Sequence, residues 1–348
     1  MQGGRMKAEA PFITVVMPVR NEENHISAVL EELLLQDYPR NCFEIIVADG
    51  MSTDSTGEVV QALMTRDERV KLFPNPRRFP SAGRNIGFRN GKGDVFVVID
   101  GHCRLGNPGY LQAVADCFER SGAECLGRPQ PFMEPGEPST GKAIALARSS
   151  RFGHSRNSYI HKDEECYASP VSMGCAYRRE VFEKIGYLDE SFDACEDVEF
   201  NYRVEQAGFK TFFSSKIGVL YYPRESFTQL GRQMLRYGAG RFRFLVKHKE
   251  AFKAEMLATV VFCALLLLGP FLAIHHPLLM ASYLLLLFLL LALLAAESLR
   301  LGSRYGIRFV ARIMAALIIT YMGLGLGMAK GAIDKFTGLF KKTGGAGS

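Results

Sequence analysis

Two stretches near the carboxyl end restrict this chain more than any others. Residues 256–274, MLATVVFCALLLLGPFLAI, and 278–296, LLMASYLLLLFLLLALLAA, contain no charged side chain. A helix needs about 20 apolar residues to cross a bilayer, and neither stretch offers the polar face that a helix buried at the surface of a soluble domain keeps. Both are expected to span a membrane. A third apolar stretch, 309–329, holds Arg312 near one end and reads as a span or as a re-entrant or interfacial helix. The connector at 275–277, HHP, has no Lys or Arg, whereas 297–308, ESLRLGSRYGIR, carries Arg300, Arg304 and Arg308. Basic loops stay on the cytoplasmic side, so the first two spans run out and back. A third crossing would put Lys335, Lys341 and Lys342 outside.

The composition changes at about Lys253, and the chain is read as a mixed-composition domain over 1–225 expected in the cytoplasm, a linking region at 226–253, membrane helices over 254–330 and a tail at 331–348. The linking region SFTQLGRQMLRYGAGRFRFLVKHKEAF mixes Phe, Leu, Met and Tyr with Arg and Lys, a pattern that suits a helix lying among lipid headgroups. Net charge is +6, but outside that linking region the basic residues form no run interleaved with aromatics, so nucleic acid is not an expected partner. Eight cysteines without a CxxC pair point to reduced core residues rather than a zinc site or a disulfide framework. The start, MQGGRMKAEAP, lacks the apolar core of a signal peptide.

Ahead of Lys253, strand and helix signals alternate. FITVVMPV (12–19), FEIIVAD (43–49), VKLF (70–73) and DVFVVID (94–100) are near-continuous apolar runs. Between them, 22–36, Ser55–Met64 and a segment from Ser81 carry helical patterning. Strands buried on both faces and alternating with helices predict an α/β doubly wound, mainly parallel sheet. Ligands of such sheets sit beyond the carboxyl ends of the strands, and the polar residues gather there: Pro18, Arg20, Asn21 and Glu22 after the first, Asp49 to Asp54 after the second, Asp100 and His102 after the fourth. Neither GxxxxGK[ST] nor GxGxxG follows the first strand. A nucleotide held here needs its phosphates neutralised another way, and a divalent cation on Asp100 and His102, helped by Arg84 or Arg236, would do so. Oxygen ligands favour Mg²⁺ or Mn²⁺, and an imidazole tilts the choice toward Mn²⁺. In CEDVEFNYRVEQAGFK (195–210), Asp197 opens a helix, either as an acidic cap or as a general base.

Together these segments resemble a family 2 glycosyltransferase of the GT-A fold, over about 12–245. VVMPVRNEENHI resembles the P-x-x-N-E opening, EIIVADGMSTDST the DDGSTD signature with Gly50 for the second acid, and SAGRNIG the A-x-N-x-G helix start. VVIDGHC resembles the metal-binding DxD segment with His102 in the second acid's place, GYLDESFDACEDVEFNYRVEQAGF the acceptor-side region with its ED pair, and QMLRYG the Q-x-x-R-W element with Tyr237 for tryptophan. The DGHC form and the membrane helices resemble the bacterial exopolysaccharide-type, succinoglycan glucosyltransferase-like subgroup.

The resemblance implies inverting transfer of a sugar from a nucleotide donor, commonly UDP-linked, to a lipid-linked polyprenyl saccharide at the inner membrane. It implies uracil contact by Asp49, with Pro18, Asn21 and Glu22 around the nucleoside. Arg84, Gln233 and Arg236 would serve the diphosphate, Asp100 and His102 the metal, and Asp197 would be the base. Tyr237 and the small number of membrane helices argue for single additions over processive synthesis. Two alternatives stay open: a polyprenyl-phosphate glycosyltransferase, whose acceptor needs no strong base, and a catalytically silent membrane scaffold that keeps a nucleotide-binding fold.

Overall fold

The computed structural model describes residues 10–133, 136–153, 159, 162–252, 258–274 and 276–338. Lys253, Lys341 and Lys342, and the first two residues of the 256–274 stretch, lie outside the described residues. The chain forms two compact units. One comprises 1–131, 159–190 and 196–221, and the other 132–158, 191–195 and 222–348.

Among the described residues the first unit has the strands β1 (Ile13–Val19), β2 (Phe43–Asp49), β3 (Val70–Pro74), β4 (Val95–Val98), β5 (Cys103–Arg104), β6 (Cys125–Gly127), β7 (Glu165–Tyr167), β8 (Gly174–Arg178), β9 (Thr211–Ser214) and β10 (Leu220–Tyr221). Eight form one sheet in the order β3-β2-β1-β4-β8-β6-β9-β7, and β5 pairs with β10 in a ribbon. Strands β3, β2, β1 and β4 run parallel, β8 is antiparallel to β4 and β6, and β6 and β9 are parallel. The expected doubly wound, mainly parallel sheet is therefore present. The run at 94–100 is paired strand over Val95–Val98, Ile99 still donates its N–H to the Val16 carbonyl at 3.1 Å, and Asp100 leaves the sheet toward the β5 ribbon.

Helices flank both faces: α1 (Ile26–Leu34), α2 (Thr56–Met64), α3 (Pro80–Asn90) and α4 (Tyr110–Ser121); α5 (Thr140–Ser149) belongs to the second unit; α6 (Arg179–Ile185) and α7 (Glu196–Gln206) complete the first. Period-two alternation assigns the sides. Ile13, Val15 and Met17 of β1 pack with Ile26, Leu30, Val60, Leu111 and Phe118, while Val16 faces Phe88, Phe182 and Phe200. Each such fully buried side chain contributes roughly 1.5–3 kcal/mol. Helix α1 begins four residues later than the spacing from Glu22 suggests, because Asn21 takes φ +55° and Glu22 to His25 form a turn.

The second unit is helical: α5, α8 (Phe227–Lys247), α9 (Ala258–Ala273), α10 (Pro277–Gly302) and α11 (Ile307–Phe336). Helices α10 and α11 are long and apolar enough to cross a membrane, and α9 is a shorter apolar helix. Helix α10 exposes Leu278, Leu284, Leu285 and Phe288. Helix α11 buries Ile313, Ala316, Leu317 and Leu324 among Ala143, Ile144, Leu230 and Met234.

Candidate active site

The parallel strands β1, β2 and β4 end on one edge, at Val19, Asp49 and Val98. Two residues beyond them, Asn21 (φ +55°) and Met51 (φ +57°), lie in the left-handed region, which costs a non-glycine residue about 1 kcal/mol or more. Hydrogen bonds hold the bend. Asn21 N–H donates to Ser52 Oγ at 2.9 Å, and Thr53 N–H donates to Asn21 Oδ1 at 2.9 Å. The Asp49 carboxylate accepts from the Ser52 hydroxyl at 2.5 Å and from its N–H at 3.2 Å. Asn21 and Asp49 thus fasten the first two loops into one rim. Pro18 lies under α3, where a methyl added at Gly83 would come within 3.0 Å of its Cβ.

His102 has both ring nitrogens engaged, Nδ1 with Glu22 Oε1 at 2.8 Å and Nε2 with the Tyr221 hydroxyl at 2.5 Å. The Tyr221 ring meets the imidazole edge-on at 4.4 Å. One side chain therefore joins the loop after β1, the loop after β4 and strand β10.

Arg84, Asp100 and Asp197 line one cleft together with Arg128, Gln130 and Gly174. Arg84, in the first turns of α3, reaches Glu196 Oε1 at 3.1 Å and Asp100 Oδ1 at 3.8 Å. Glu196 is 5% exposed. Burial pushes its carboxyl from an ordinary 4.5 to about 7, Arg84 pulls it down, and Asp197 and Asp100 add to the rise. Burial works against the charge on Arg84, and Glu196, Asp100 and Asp197 more than offset it, so its proton is held more tightly than usual. Asp197 is exposed at the start of α7, one oxygen accepting the Val198 N–H at 2.8 Å. Carboxylates at that end of a helix are stabilised by its dipole.

Arg128 is a cleft residue that the sequence reading passed over. Its guanidinium donates to the Tyr110 hydroxyl at 2.6 Å and to the Val98 carbonyl at 2.9 Å, so it fixes the end of β4 two residues before Asp100. The only signal available was its position just after a short strand, in GRPQP. The Nε atoms of Arg84 and Arg128 are buried with no hydrogen-bond partner among the described residues. Orphaned cationic donors beside a cleft suit an anionic ligand.

The sequence signature "Glycosyl transferase family 2" matches residues 14–186. The chain is also 31% identical over 242 residues to the succinoglycan biosynthesis protein ExoA of Rhizobium meliloti (strain 1021), covering 68% of this chain and 70% of that protein. This chain belongs to glycosyl transferase family 2. A second relative, 27% identical over 234 residues (66% of this chain, 73% of the other), is the dolichyl N-acetyl-alpha-D-glucosaminyl phosphate 3-beta-D-2,3-diacetamido-2,3-dideoxy-beta-D-glucuronosyltransferase of Methanococcus voltae. The fold is shared with the mannosyltransferase PcManGT of Pyrobaculum calidifontis, solved with GDP-Man and Mn²⁺. That match has TM-score 0.56 and 19% identity, and it covers 89% of this chain and 87% of the other.

For a family 2 glycosyltransferase the donor set here is sparse. Among the described residues no three His, Cys, Asp or Glu side chains gather as a metal centre. Asp100 fits a hard divalent ion that takes its remaining oxygens from a diphosphate. His102 could join only by giving up one of its two partners, Glu22 at Nδ1 or the Tyr221 hydroxyl at Nε2. Gln233 and Arg236 lie on α8 in the second unit. There Gln233 donates to the Tyr237 hydroxyl at 3.3 Å, and Arg236 bonds the Asp193 carbonyl and sits 3.6 Å from its carboxylate.

Proposed function

We propose that this family 2 glycosyltransferase moves a hexose, with inversion, from a UDP-linked donor to a lipid-linked saccharide in bacterial cell-surface or exopolysaccharide synthesis. The observation that carries the reading is the meeting of Arg84, Asp100 and Asp197 in one cleft at the carboxyl edge of the sheet. Asp197 takes the proton from the acceptor hydroxyl, which attacks the anomeric carbon from the face opposite the leaving group. Arg84 neutralises the departing diphosphate. Pro18, Asn21, Glu22 and Asp49 frame the nucleoside, with Asp49 toward the uracil. A Mn²⁺ or Mg²⁺ ion on Asp100, with His102 beside it, would supply Lewis-acid charge at the diphosphate. The names of the relatives support the acceptor class, since one acts in succinoglycan biosynthesis and another on a dolichyl-linked sugar phosphate.

The apolar helices α9 and α10 would anchor the enzyme as a hairpin in the cytoplasmic membrane, with the catalytic unit in the cytoplasm and lipids as neighbours. The test uses detergent-purified protein, a panel of nucleotide sugars and Mn²⁺ or Mg²⁺, with release of nucleoside diphosphate and extension of lipid-linked acceptors both followed. Transfer from one donor, lowered about 10²–10⁴-fold in Asp197→Asn, is the expected result. Full activity in that variant toward a bare polyprenyl phosphate would replace this reading with the phosphate-acceptor one. Saturable donor binding without turnover would leave a scaffold.

A further inference from the structure

Helix α11 passes the length and composition test for a membrane span, yet it does not have the surface of one. We infer that α11 never crosses the bilayer. It is the buried hub of the second unit, on the same side of the membrane as the catalytic unit, and only the α9–α10 hairpin enters lipid. The inference rests on the membrane placement of that hairpin proposed above.

Three observations carry it. The amino-terminal half of α11 packs on α5: Ile313, Ala316 and Leu317 share a core cluster with Ala143, Ile144 and Ala147, and Arg312 donates to the Pro138 carbonyl at 3.2 Å. The carboxyl-terminal half lies along α8 in a glycine seam. A methyl added at Gly238 would come within 2.8 Å of the Gly327 Cα, and one added at Gly331 within 3.0 Å of the Phe242 Cβ. Residues 231–242 of α8 therefore run beside 319–331 in the same direction, almost backbone to backbone. That stretch of α8 exposes Arg232, Arg236 and Arg241. If 309–329 crossed the hydrocarbon, these guanidiniums would be carried to the same depth, where charged side chains are strongly disfavoured.

The third observation is the contrast with α9 and α10. Phe262 and Cys263 near the start of α9 and Leu294 and Ser298 near the end of α10 are buried. Toward the turn between the helices, by contrast, Phe271 and Leu278 are each 73% exposed. The most exposed apolar side chains of the two helices gather toward that turn, as they do when the base of a hairpin is seated on protein and its tip in lipid. The hydrophobicity of α11 is thus that of a core helix. Its exposed Lys330 and Lys335 then stay on the side where basic residues are retained.

Single cysteines at Ser303 and Thr337, exposed positions on either side of α11, test this in the full chain. A membrane-impermeant maleimide is applied to spheroplasts and to inverted vesicles and read as labelling above the parent protein. Both positions are expected to stay unlabelled in spheroplasts and to gain at least tenfold in inverted vesicles. Labelling of the two from opposite sides overturns the inference. Leu326→Lys, at an exposed site within α11, is expected to leave membrane-bound yield within twofold, whereas a tenfold loss would speak for a span. Protease removal of an amino-terminal epitope from the outer side would instead overturn the cytoplasmic placement of the catalytic unit. In that case the relation between positions 303 and 337 still decides α11.

Discussion

At the scale of single residues, Glu196 ties the stability of the fold to pH. Its carboxyl holds a proton to about pH 7 when folded against 4.5 ordinarily. The folded state therefore binds a proton that the unfolded chain has already released, and stability from this site falls as pH rises from 4.5 to 7. The shift corresponds to about 3 kcal/mol. Melting curves at pH 5 and 7.5 are expected to diverge for the native chain and to draw together for Glu196→Gln; parallel behaviour would contradict the assignment. His102 gives a second prediction. With its nitrogens held by Glu22 and Tyr221, UDP-bound Mn²⁺ should show no imidazole coupling in electron spin-echo spectra of ¹⁵N-histidine protein. Coupling would mean that Glu22 or Tyr221 yields its place to the metal. The sequence marked Asp100 and Asp197 because strand and helix ends are local features. It could not mark Glu196 as the partner of Arg84, or Arg128 as a cleft residue, because those meetings are long-range.

At the scale of elements, periodicity located β1 to β4 and α1 to α3 within a few residues, since each buries a face whose spacing is written locally. Its errors fall where tertiary contacts redirect the chain. Helix α1 waits for the Asn21 turn, and β4 yields two residues to the loop that carries Asp100. The α8–α11 seam leaves no room for a methyl group at Gly238 or Gly327. Gly327→Val would thrust a side chain against the α8 backbone, and overpacking of this kind costs about 1–3 kcal/mol or more. Denaturant midpoints in detergent should fall accordingly, while the same change at Gly57, which has open space around it, should cost well under half as much.

For the whole molecule, attachment to lipid should reside in a few exposed side chains. Replacing Leu267, Leu268, Phe271, Leu278, Leu284 and Phe288, all exposed, by serine or glutamine is expected to move the protein from the membrane pellet to the soluble fraction. Retention in the pellet would assign the attachment elsewhere. The sequence by itself determined the alternating α/β order, the polar strand ends and the uncharged hairpin, because hydrophobic period and run length act over neighbouring residues. Tertiary structure alone decided which polar groups face one another, as with His102, joined to partners 80 and 119 positions away. It also decided what each apolar helix is for. Length and apolarity let both α10 and α11 pass as spans, and the burial of α11 against α5 and α8 marks it as a helix packed on protein.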